Sequence, residues 1–241
     1  MERFNYKKAL WYWEALQYSD LQWKIVNQIL QKVNSRKSVI DIASGPGTVS
    51  LPLSYFFKKI YSVDVSQGML KKEKEELLYR NINNVSVINS DWKSFIDVED
   101  EISLIIVMNF GGIFEDFDKF IDLCKEKSPE FVLIVKGVSK SDKFGRDSIK
   151  MKLGREPKAK CFDGLLAEKL AFFEKKPFTY NFDQPFNSID EAIDFWNEYI
   201  NPKNEREEAV IVEHVNKSLI KRGNKFFAPV NSSANLYWWK P

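Results

Sequence analysis

Histidine occurs once and cysteine twice in 241 residues. His214 stands alone, and Cys124 and Cys161 sit in unrelated contexts with no CxxC spacing. No zinc site or other metal centre is therefore expected. So few cysteines suit a reduced chain without a disulfide framework, which points to the cytoplasm. No run approaches the ~18 consecutive apolar residues of a membrane span. Residues 1–8 lack the apolar stretch of a secretory leader. An excess of one charge is missing too: 36 Lys and Arg against 34 Asp and Glu leave a net +2. Chains that live on nucleic acid carry a basic excess or stripe, so nucleic acid is not an expected partner. Long Pro, Gly or Ser tracts and internal repeats are also absent, and one domain with an elaboration is expected.

Apolar residues are plentiful at 44%, and their spacing changes along the chain. Residues 4–33 follow the 3.6-residue helical period, with Ser19-Asp20 as a break and new N-cap. From residue 38 strands and helices alternate. Strands are expected at 38–42, 60–65, 85–89, 102–108 and 131–135, with helices at 47–57, 66–80 and 114–125. Leu104-Ile105-Ile106-Val107 has the continuous apolarity of a strand buried on both faces. Such alternation predicts a parallel sheet with right-handed crossovers.

After Lys136 the rhythm breaks. Residues 136–160 hold nine basic and three acidic residues. A helix is expected at 162–173 and an extended piece at 178–182. Ser188-Ile189-Asp190-Glu191 reads as a capping box opening a helix to about 199. Another helix follows at 205–221, with a stripe of Val210, Val212, Val215 and Leu219. Residues 225–229 and 234–239, joined through Asn231-Ser232-Ser233, read as an antiparallel hairpin finishing the sheet. The expected fold is α/β: a Rossmann-like, mostly parallel seven-stranded sheet with helices on both faces. Residues 1–36 form an N-terminal helical cap, 37–136 a core, 137–223 an insertion or lid, and 224–241 the hairpin.

The informative segment is Val39-Ile40-Asp41-Ile42-Ala43-Ser44-Gly45-Pro46-Gly47-Thr48. A strand ends in an acid, a glycine-bearing loop follows, and a helix begins. Without Cβ atoms at Gly45 and Gly47, backbone can approach a ligand closely. The next strand ends at Asp64, 17 residues past Gly47, where a carboxylate can accept hydrogen bonds from both hydroxyls of a ribose. A dinucleotide site would want a third glycine, where Ser50 stands, and Asp41 would repel a pyrophosphate.

Here the chain resembles the class I S-adenosylmethionine-dependent methyltransferases. Asp41, Ala43, Gly45 and Gly47 fall on their D/E-x-G-x-G-x-G motif, in the variant with alanine first that is found among small-molecule enzymes of the quinone-biosynthesis type. The resemblance covers about residues 38–136. It implies S-adenosylmethionine as cofactor and S-adenosylhomocysteine as product. The implied cofactor residues are Asp41, Ala43, Ser44, Gly45 and Gly47 in the first motif, Asp64 on the ribose, and Val65 and Met69 flanking the adenine. Asp91 beside Trp92 faces the adenine amino group, and Met108 lies where cofactor meets substrate. Methyl transfer requires no fixed acid–base pair. The catalytic candidates are Asn109 at the fourth strand's end, Tyr12 (with Trp13) on the capping helix, and His214, each with an ordinary packing or turn role as its alternative. The expected acceptor is a small molecule. An RNA- or protein-modifying enzyme docking through 136–160, and a cofactor-binding module without turnover, are the alternatives. Oligomeric state is left open between monomer and homodimer.

Overall fold

The computed structural model describes residues 4–94, 98–138, 146–155 and 162–241. Cys161 and most of the basic segment expected at 136–160 lie outside the described residues. Two helices open the chain, α1 (Tyr6–Gln17) and α2 (Leu21–Lys32). The Asn5 side chain accepts from the Lys8 amide to start the first. There follow β1 (Ser38–Ile42), α3 (Ser50–Leu53), β2 (Lys59–Asp64), α4 (Gln67–Tyr79), β3 (Val85–Asn89) and β4 (Ile102–Met108). A short 3-10 turn (Gly112–Glu115), α5 (Phe117–Lys127) and β5 (Phe131–Gly137) complete the alternating part. Beyond it are α6 (Arg146–Lys152), α7 (Asp163–Lys169), β6 (Glu174–Asn181), β7 (Gln184–Phe186), α8 (Ile189–Ile200), α9 (Glu205–Ser218), β8 (Ile220–Arg222), β9 (Lys225–Ala228) and β10 (Asn231–Trp239).

Seven strands form one sheet in the order β3-β2-β1-β4-β5-β10-β6. The first five run parallel, and β10 is antiparallel to both β5 and β6. The chain leaves β1 outward in one direction to β2 and β3, then returns to place β4 on the other side. A crevice therefore opens at the C-terminal tips of β1 and β4, the position where open α/β sheets bind ligands. Side chains alternate between two cores. Leu104 and Ile106 face Leu16, Leu21, Ile25 and Ile29 of the first two helices, while Ile105 and Val107 face Phe117, Phe120 and Cys124 of α5. A third cluster, around Trp11, Phe186, Phe195 and Trp196, joins α1 to α8 and α9.

Three expectations are corrected. The helix expected at 47–57 is reduced to Ser50–Leu53. Gly47 has φ +79°, outside helical space, and Pro52 has no N–H to give the Thr48 carbonyl. That carbonyl instead accepts from Gln22 Nε2 at 2.8 Å, which ties α2 to the glycine loop. On α9 the buried stripe runs through Ile211 and Val215, whereas Val212 is exposed.

The third correction concerns the last strands. Residues 225–229 do not pair with 234–239; β10 pairs with β6, and β9 belongs to a second sheet, β7-β9-β8. The pairing Asn181↔Asn231 and the pairing Gln184↔Ala228 keep one register. The two sheets are thus joined by a single antiparallel ribbon that breaks where Asp183 faces Pro229. Proline cannot donate to the ladder. The Val230 amide turns to Asp183 Oδ1 at 3.0 Å, and the Phe182 amide to the Val230 carbonyl at 2.8 Å. Helices α8 and α9 and strand β8 form the excursion at the ribbon's far end.

Candidate functional site

The loop from Ala43 to Val49 leaves the tip of β1 beside the tip of β2. Ala43, Gly45 and Gly47 have φ of +56°, +61° and +79°, so the loop bends through left-handed conformations that favour glycine. Ala43 adopts the conformation glycine would hold at the first motif position, at a strain cost of about 1 kcal/mol. The loop is pinned to β2 by two bonds: the Ser44 amide donates to the Val63 carbonyl at 3.2 Å and the Gly45 amide to Asp64 Oδ2 at 2.9 Å. Asp64 Oδ1 accepts from the Ser66 amide at 2.8 Å. A carboxylate offers about four acceptor sites, and the Gly45 and Ser66 amides occupy one on each oxygen of the half-buried Asp64.

Asp41 is wholly buried. Its Oδ2 accepts from Ser50 Oγ at 2.6 Å, and its Oδ1 is buried with no hydrogen-bond partner. Ser44 Oγ in the same loop is likewise buried and unpartnered. Burial pushes the Asp41 carboxyl up to about 7, with the Ser50 bond opposing and the charge of Asp64 adding to the rise. Orphaned buried polar atoms are uncommon in folded chains, and here two of them stand in one loop.

Glu73 is the residue that sequence reasoning missed. It is fully buried on α4, and both its oxygens lie 2.7 Å from Ser62 Oγ. A Cβ at Gly47 would come 2.9 Å from Glu73 Cγ, so the carboxyl lies directly against the glycine loop. Burial pushes Glu73 up to about 8, the Ser62 bond opposing, and Asp41 and Asp64 raise it further. The signal was present: Met69, Glu73 and Leu77 share one helix face at i, i+4 and i+8, so an acid stands on the buried stripe.

The other expected residues are spread around this centre. Val65 is exposed beyond Asp64, and Met69 is buried behind it at the start of α4. Asp91 is exposed, its Oδ1 taking the Lys93 amide at 2.8 Å. Trp92 is buried in the second core with its ring edge-on to Phe120, 5.9 Å between centroids. Met108 is partly buried against the first core at the end of β4. Asn109 has φ +54°, and its side chain accepts from the Gly137 amide at 3.0 Å, locking the ends of β4 and β5 together. His214 lies on α9 with its ring 5.4 Å from that of Trp196, among the helices of the ribbon's far end and not at the strand tips.

Helix α1 roofs the loop. Tyr12 lies beside Thr48, and its ring packs on Phe182 at 5.2 Å. Burial drives its phenol well above the ordinary range. Trp13 is buried in the first core, where Lys72 and Arg80 of α4 lie over its ring. The start of α1 is sewn to α4: Tyr6 donates to Glu75, and Ser66 Oγ to the Phe4 carbonyl.

Comparison with known proteins bears on this arrangement. Residues 39–126 match the family model described as a methyltransferase domain. Among curated proteins none matches the sequence. Solved structures share the fold at low identity. A candidate methyltransferase of Bacillus halodurans C-125 has a TM-score of 0.54 at 14% identity, over 89% of this chain and 97% of that one. The YcgJ protein of Bacillus subtilis has 0.53 at 14%, over 90% and 98%. A precorrin-6y C5,15-methyltransferase of Geobacter metallireducens has 0.51 at 12%, over 90% and 87%. Among the described residues no helix is long and apolar enough to cross a membrane. Residues 39–126 are thus similar to a methyltransferase domain, and the solved structures share the fold of the chain.

Proposed function

We propose that the protein transfers the methyl group of S-adenosylmethionine to a small-molecule acceptor, in the cytoplasm. The observation that carries this reading is the pairing of two acids across one glycine loop. Asp64 holds the Gly45 amide, while Asp41 keeps a buried oxygen without a partner. Asp64 binds the ribose hydroxyls. Asp41 and Ser44 meet the polar end of the methionine moiety, and Gly45 and Gly47 let the backbone come close. Val65, Met69, Asp91 and Trp92 flank the adenine, and Met108 borders the reacting centre. When bound, the cofactor supplies an electrophilic methyl on a sulfonium, open to in-line displacement. The protein's part is to orient the acceptor and exclude water. Asn109 is a rigid tip beside that centre, and Tyr12 lies across the loop.

The near-neutral net charge of +2 supports a small acceptor over a polyanionic macromolecule. The test has two steps. Calorimetry should detect S-adenosylmethionine binding, and Asp64→Ala should weaken it by roughly 1–3 kcal/mol through loss of charge-assisted bonds. Release of S-adenosylhomocysteine over a panel of small acceptors and RNA then identifies the acceptor class. Unchanged affinity in Asp64→Ala refutes the ribose assignment, and turnover on RNA alone refutes the small acceptor.

A further inference from the structure

We propose that Glu73 is a third carboxyl of the cofactor site, and that Glu73 and Asp41 hold protons which the arriving cation displaces, so that the site distinguishes the cationic methyl donor from its neutral product. This rests on the reading of the crevice as an S-adenosylmethionine site.

The geometry is that of carboxyls buried without a counter-charge. Asp41 and Glu73 are both fully buried, and among the described residues neither forms an ion pair. Their partners are hydroxyls, Ser50 for Asp41 and Ser62 for Glu73. Ser62 has one hydroxyl proton but lies 2.7 Å from both oxygens of Glu73. It saturates one of them; a proton on the carboxyl itself supplies the second bond. The other groups facing the pair add little positive charge. Asp64 stands at the tip of β2, the neutral phenol of Tyr12 on α1 senses Asp41, and Lys74 acts on Glu73 from its own helix without pairing with it. Two buried anions side by side are costly, and protonation relieves that cost. The raised carboxyls, about 7 and about 8, agree with this.

A second observation points to a ligand. Asp41 Oδ1 is buried with no partner, and Gly47, against which Glu73 packs, belongs to the loop that meets the cofactor. S-adenosylmethionine carries a sulfonium, an ammonium and one carboxylate, a net positive charge; S-adenosylhomocysteine is a neutral zwitterion. A cation beside the loop favours the ionised carboxyls, so a carboxyl O–H bond breaks, its proton passes to buffer, and a carboxylate remains facing the cation. Once the methyl group has left, the ammonium remains and the sulfonium charge alone is lost, so the cluster takes back part of its proton and the product is held less well at high pH than the donor.

The test is calorimetry with each ligand at pH 7, in two buffers of unlike ionisation enthalpy, and affinities at pH 6 and pH 8. Proton release is expected with S-adenosylmethionine and less with S-adenosylhomocysteine. The donor-to-product affinity ratio should rise about tenfold from pH 6 to pH 8. Glu73→Gln, a permanently neutral side chain of the same shape, should release less than half as much. Binding of both ligands with equal proton counts and a flat ratio overturns the inference and leaves the cofactor assignment standing. Failure of the wild-type protein to bind either ligand overturns both. The wild-type buffer series decides the matter even where Glu73→Gln does not fold.

Discussion

Gly68 yields its side-chain space to the backbone of Tyr6: a Cβ there would fall 2.4 Å from the Tyr6 amide nitrogen and 2.5 Å from the Asn5 carbonyl carbon. Neither is the end of a flexible side chain, so an alanine must push α1 off α4. Gly68→Ala should destabilise the protein by about 2–3 kcal/mol, the cost of overpacking a rigid contact. Urea unfolding measures the loss, and limited proteolysis should cut first near residue 5. A variant as stable as wild type would mean that the two helices are not packed this way.

The raised carboxyls make the unliganded protein's stability depend on pH, with a definite sign. Asp41 and Glu73 bind protons more tightly folded than unfolded, so their contribution is fullest below pH 4 and is lost as pH rises through about 7 to 8. Among the described residues burial raises Glu14 as well, and four carboxyls are shifted the other way. Backbone and side-chain bonds or lysine partners lower Glu130, Asp163, Glu207 and Glu213, and their contribution is lost only as the solution becomes strongly acid. Between pH 5 and pH 8 the raised carboxyls govern. Stability in urea should fall over that window, by about 1.4 kcal/mol per pH unit for each proton that the folded chain holds in excess. Stability that rises from pH 5 to pH 8 would contradict a protonated pair.

Ala43 occupies a left-handed conformation that costs a residue with a Cβ about 1 kcal/mol. Ala43→Gly removes that strain but also gives the unfolded chain more freedom. The balance should favour the variant by roughly 0.5 kcal/mol, read as a higher urea midpoint at an unchanged slope. A lower midpoint would show that the alanine methyl packs usefully against the second core, where it is partly buried.

What the sequence revealed depended on how locally each feature was encoded. The strands β1 and β4 end where their apolar runs end, because a strand buried on both faces writes its length in consecutive residues. The cap Ser188 was legible for the same reason: its helix start is signalled within four residues. The ribbon of β6 with β10 was not, since its partners are separated by α8 and α9 and pairing at that range leaves no local mark. Lys175-Lys176-Pro177 did carry one hint, for lysine and proline are what an exposed edge strand uses to refuse a further partner. In the site, Asp41, Gly45, Gly47 and Asp64 were found through the motif. Glu73 was hidden in a run of charges, Lys71 to Glu76, where only its helical phase distinguishes it.

Tyr12 offers the clearest separation between a residue that packs and one that covers the loop. Its ring rests on Phe182, and Thr48 lies beside it. Tyr12→Phe keeps the ring and deletes only the hydroxyl, a change worth about 1 kcal/mol. If α1 acts as a roof that stiffens the glycine loop, loop order is lost where the ligand binds, and S-adenosylmethionine affinity should fall about fivefold with a thermal midpoint only slightly lower. Tyr12→Ala also removes the ring and should cost about 2–4 kcal/mol of stability. Equilibrium dialysis with labelled cofactor, beside thermal unfolding, separates the two effects. If Tyr12→Phe binds like wild type, the tyrosine is a packing residue, and the roof contributes shape without affinity.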